Sequence, residues 1–118
     1  MHMDKITFLE FERVMSCDLR KKKEPCIEIC FDVEDSVNYR DSWMGKMIDK
    51  DTGGNVYWFG LVPDGSQAYD FALFDEFVNA EVFYGRKSLK EIWPSISVLS
   101  LDGGTVSETL SYFLKLSE

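Results

Sequence analysis

Apolar and polar residues alternate most strictly from Cys26 to Val33. If the chain is extended there, Ile27, Ile29, Phe31 and Val33 face one way and Cys26, Glu28, Cys30 and Asp32 the other, as in a strand with one face in the core and one in water. A second run, residues 55 to 62, is apolar on both faces. Val56, Trp58 and Val62 fall on one side and Tyr57, Phe59 and Leu61 on the other, which predicts a central strand covered front and back. Turn clusters bracket it, Asp51-Thr52-Gly53-Gly54 before and Pro63-Asp64-Gly65 after. Residues 43 to 49 complete a three-stranded antiparallel meander through the turn at residues 50 to 54, with Gly45 and Lys46 weakening that strand. Ser95 to Leu101 supplies a fourth strand, with Ile96 and Val98 opposite Leu99 and Leu101.

Helical spacing governs the rest. Thr7 and Glu10 form a capping box ahead of a stripe of Phe8, Phe11, Met15 and Leu19. The adjacent Phe8-Leu9 pair argues against a strand at that point. Phe74, Phe77 and Val78 recur at helical steps with Asp75-Glu76 in the first turn. Ser88 and Glu91 open a short helix that Pro94 stops, and Thr105 and Glu108 open a last one carrying Val106, Leu110, Phe113 and Leu114. Residues 34 to 41 read as a polar loop. These elements predict a single α+β domain over residues 1–118, a three- to four-stranded, mainly antiparallel sheet with the N- and C-terminal helices packed on one face. Its expected core is Phe11, Ile27, Ile29, Phe31, Trp58, Phe59, Leu61, Phe77, Trp93, Val98, Leu110 and Phe113.

Composition narrows the function. The chain has 118 residues and a net charge of −8, and residues 24 to 81 hold thirteen acidic side chains against Arg40, Lys46 and Lys50. Long-range repulsion of that kind disfavours nucleic acid and anionic membranes. The cations of Arg20-Lys21-Lys22-Lys23 read as a solvated helix end. No long apolar run or basic-then-apolar leader is present, which predicts a cytoplasmic protein with three reduced cysteines. Cys26 and Cys30 would stand about 13 Å apart on one strand face, too far for a disulfide or for sharing one metal ion. Met1 and His2 read as a cloning remnant ahead of Met3, so the sole histidine drops out of the chemistry, and with it His-based triads and His-containing zinc sites. Glu28 and Asp32 are also about 13 Å apart, beyond the ~6.5–9.5 Å of an inverting glycosidase pair. The sequence therefore offers no catalytic residue, cofactor or metal site. The acidity alone is sufficient for a soluble surface. Its functional reading is a face that steers toward a basic protein, with Glu28, Asp32, Glu34, Asp35 and Asp41 as candidate contacts and exposed members of the set Trp43, Tyr57, Tyr69 and Tyr84 as anchors.

The stretch Val82-Phe83-Tyr84-Gly85-Arg86-Lys87-Ser88-Leu89-Lys90-Glu91-Ile92-Trp93, after the helix from Phe74, resembles a pattern of small uncharacterised bacterial proteins. The organisation as a whole resembles that of immunity proteins of bacterial toxin systems, which are compact, acidic and catalytically inert. That resemblance implies a non-enzymatic inhibitor of a basic toxin or nuclease, and carries over no catalytic residue. The alternative class is a small-ligand domain or a carboxylate-based enzyme. Its expected mark is a deep pocket lined by several of Trp43, Tyr57, Trp58 and Tyr69 around a buried carboxylate.

Overall fold

The computed structural model describes residues 5–34 and 36–116, so Met1, His2 and Asp35 lie outside the described residues. The chain is α+β, and its described residues form a five-stranded antiparallel sheet and four α-helices. The strands are β1 (Cys26–Val33), β2 (Ser42–Ile48), β3 (Asn55–Gly60), β4 (Ala68–Phe71) and β5 (Ile96–Leu101), in the order β4-β3-β2-β1-β5. The helices are α1 (Phe8–Met15), α2 (Phe74–Asn79), α3 (Leu89–Ile92) and α4 (Val106–Leu116).

The capping boxes at Thr7 and Ser88 both close. Each hydroxyl accepts the amide of the glutamate three residues on, and that glutamate accepts the cap's own amide in return. α1 stops at Met15, earlier than its apolar stripe suggested, and Leu19 reaches the core from a separate 3₁₀ turn. Within the run of four cations Lys22 is not simply solvated: its ammonium pairs with Asp102 at 2.7 Å and lies over the Phe113 ring.

Helices cover one side of the sheet. Phe77 of α2 stacks on Phe59 and Tyr57, with ring centroids 4.4 and 5.7 Å away, and Phe11 of α1 packs on Phe74, Phe77 and Trp93. The strand residues in this core are Ile27, Ile29, Phe31, Val33, Met44, Tyr57, Phe59, Ile96, Val98 and Leu101, joined by Phe113 of α4. All ten strand side chains come from the same face.

Four expectations need correction. β3 is not the middle strand and is not covered front and back: β2 lies in the middle, and Val56, Trp58 and Val62 are only half-buried because no helix crosses their side. Trp58 accordingly leaves the predicted core, Leu110 of α4 is only partly buried against it, and the other ten members are buried. A fifth strand, β4, pairs with β3; its Tyr69 and Phe71 pack on the core while Ala68 and Asp70 face outward. In β5 the alternation breaks at a β-bulge. Phe31 pairs with Val98 and Cys30 with Ser100, so Leu99 is the extra residue, 38% exposed, and Leu101 returns to the same side as Val98.

The loop between β1 and β2 is polar in composition but anchored by Tyr39, whose buried ring meets Phe83 edge-on and Tyr84 at a tilt, both at 5.3 Å. Lys46 does not disrupt β2. Its side chain passes under Tyr57 to the end of α1, where the ammonium donates to the carbonyls of Met15 (2.7 Å) and Cys17 (3.0 Å). It thereby takes up acceptors that a helix C-terminus leaves open.

Candidate functional site: the open face of the sheet

The side of the sheet away from the helices is the candidate site. Strand alternation and register arrange it in rows across the strands. One row runs Glu28, Gly45, Trp58, Asp70; its neighbour on one side runs Ser100, Cys30, Trp43, Gly60, Ala68, and on the other Cys26, Met47, Val56. Asp32 lies beyond, beside Ser97. Trp43 and Met47 are 39% and 43% exposed, so with Leu99 they give this face large apolar side chains in contact with water. The carboxylates facing outward from the strands are Glu28, Asp32 and Asp70, and no lysine or arginine does so.

Gly45 makes the centre of this face possible. A Cβ there would lie 2.7 and 2.9 Å from Cζ2 and Cε2 of the Trp58 indole and would collide with the Ile27 carbonyl oxygen. The indole therefore lies flat over a position that must lack a side chain. Gly45→Val is expected to cost about 1–3 kcal/mol through overpacking and to change the Trp fluorescence. Urea unfolding followed by that fluorescence checks it, and an unchanged midpoint would contradict this packing.

The candidate acids have different surroundings. Glu28 and Asp32 face outward from β1, and Asp41 is exposed just before β2. Asp32 also holds the 36–41 loop: one oxygen accepts the Asp41 amide at 2.8 Å and the other meets Arg40 at 3.3 Å, while Asp41 adopts φ +50°. It is therefore not a neutral position for charge reversal. Glu34 turns to the β5 end of the sheet, where it accepts from Lys5 and from the Ser97 hydroxyl; these hydrogen bonds hold its carboxyl below the usual range. Asp35 lies outside the described residues. Asp70, Met47 and Leu99 were not singled out from sequence. The usable signal was Gly45 opposite an aromatic in a strand otherwise free of turn residues.

The aromatics expected around a ligand are divided between the faces. Trp43 and Trp58 look outward, while Tyr57 and Tyr69 look toward the helices, so the four do not line one pocket. Glu28 and Asp70 are separated by three strand spacings of about 4.8 Å, roughly 14 Å, with the Trp58 indole between them. Burial, then the Asp41 and Asp32 charges, push the Cys30 thiol up from its ordinary 9.0. Burial, then Asp102, Glu28 and Glu24, do the same for Cys26, against the partial opposition of Lys22. Both thiols are thus kept protonated at neutral pH, the unreactive form. Among the described residues no three His, Cys, Asp or Glu side chains are grouped to hold a metal ion, and no helix is long and apolar enough to cross a membrane. The face offers apolar contact area with negative charge among and beside it. Compared with known protein families, curated proteins and solved structures, the chain matches none.

Proposed function

We propose that this protein is a non-enzymatic binding module that docks a basic protein on the open face of its sheet, in the manner of an immunity-type inhibitor of a toxin or nuclease. The observation that carries this reading is the pairing of Trp43, Met47 and Trp58 with Glu28 and Asp70 on a face whose strands turn no lysine or arginine outward, Arg40 of the 36–41 loop meeting Asp32 at its edge. Aromatic side chains on a rigid sheet lose little entropy on binding and are the usual energetic anchors of an interface. Carboxylates beside them select a cationic partner and repel an anionic one.

The experiment is capture of the partner on the immobilised protein, followed by affinity measurements on a panel of variants. Trp43→Ala is expected to weaken the complex about 30-fold, the equivalent of a ~2 kcal/mol anchor. Leu9→Ser and Tyr112→Ser, exposed positions on the helices, should leave affinity unchanged. The reverse pattern would place the interface on the helical side and reject the reading.

A further inference from the structure

The opposite side of β2 carries a buried cation without a counter-ion. Lys46 is 3% exposed, and its two hydrogen-bond acceptors are both carbonyls. Among the described residues no carboxylate comes within 4 Å of its ammonium. Capping α1 accounts for the direction of the side chain but leaves a full charge where buried charges are normally paired. Asp18, the nearby acid, is too far for an ion pair and accepts the Arg20 amide at 3.0 Å.

A cleft of about 390 Å³ opens at this point, lined among others by Cys17, Asp18, Arg20, Lys46 and Asn55. That volume is within the ~300–1,000 Å³ typical of small-ligand sites. Arg20 is exposed, forms no ion pair among the described residues, and has a planar fork that suits a carboxylate or phosphate. The acidic surface elsewhere is screened beyond about 8 Å at physiological salt, whereas Arg20 and Lys46 both line the cleft itself.

We infer that this cleft binds a small molecule through an oxyanion, a carboxylate or phosphate group that supplies the missing counter-charge between Lys46 and Arg20. The site is independent of the open face, since Lys46 projects to the other side of β2 from Trp43 and Met47. Burial holds the Lys46 ammonium below its ordinary 10.5, so an arriving anion, which favours the charged form, raises that value again.

The test is a titration of the full chain with sodium phosphate and, separately, sodium acetate at constant ionic strength, read by backbone amide shifts, with acetamide as the neutral control. Saturable shifts at residues 16–20 and 53–55 are expected with at least one anion and not with acetamide. Phosphate alone would identify a phosphoryl ligand, acetate alone a carboxylate, and both an oxyanion site in general. Lys46→Met removes the charge but also the α1 cap, so the deciding variant is Arg20→Gln. It should weaken binding at least tenfold without moving the melting temperature. Non-saturating shifts with both anions, or an Arg20→Gln variant that binds as the parent does, would overturn the site.

Discussion

Replacing Phe77 by alanine is expected to remove about 3–5 kcal/mol of stability, the usual cost of deleting a fully buried phenylalanine. The ring is entirely buried and has five aromatic neighbours, Phe11, Tyr57, Phe59, Phe71 and Phe74, with centroids between 4.4 and 6.4 Å away. Those neighbours come from α1, β3, β4 and α2 itself, so one side chain ties three separate elements to a fourth. The rest of α2's packing comes from buried Val78 and from Phe74, whose ring meets Phe8, Phe11 and Tyr57. The helix is six residues long, too short to persist alone, and its N-cap Leu73 provides no side-chain hydrogen bond. Against a total stability of about 5–15 kcal/mol the loss is large. Urea unfolding should show a much lower midpoint for Phe77→Ala, while Leu9→Ala, at a 65% exposed position of α1, should stay within about 0.5 kcal/mol of the parent. A Phe77→Ala loss below about 1 kcal/mol would show that this ring is not the centre of the core.

Local chemistry made much of this fold legible. The capping boxes at Thr7 and Ser88 are short-range devices whose partners lie three residues apart, and both helices start where those residues stand. β1 alternates in sequence and in burial alike, except that Cys30 is covered on the open face. What could not be read depends on distant strands. β4 is four residues long and owes its existence to the free edge of β3. The bulge at Leu99 comes from fitting β5 to β1, and only that fit puts Leu101 in the core. Trp58 looked like core because it lies in an apolar run; its position outside follows from all the helices packing on the other side. Lys46 looked like a flaw in a strand because its acceptors, the carbonyls of Met15 and Cys17, lie about thirty residues earlier.

The site was legible in part. Glu28 and Asp32 could be placed outward from the β1 pattern alone, and Trp43 is among the exposed aromatics. The structural duties of Asp32 and Glu34 could not, because they depend on Asp41, Lys5 and Ser97 being brought to them by the fold.

Glu28, Asp41 and Asp70 remain as acids at or beside the open face whose carboxylates have no ion pair among the described residues. Glu28 and Asp70 can be reversed to lysine, while Asp41, at φ +50°, is neutralised to asparagine, which tolerates that backbone. Exposed charge acts mainly on the rate of encounter, by about 10- to 1,000-fold in steered complexes, and salt suppresses it. The most direct measurement is the association rate of the captured partner by stopped flow, over a salt series, for the parent and for the Glu28→Lys/Asp41→Asn/Asp70→Lys variant. The parent is expected to associate fast at low salt and slow down steeply as salt rises. The variant should be at least about tenfold slower at low salt and approach the parent at high salt. Equal rates for the two proteins at every salt concentration would contradict the proposal that this acidic face receives a basic partner.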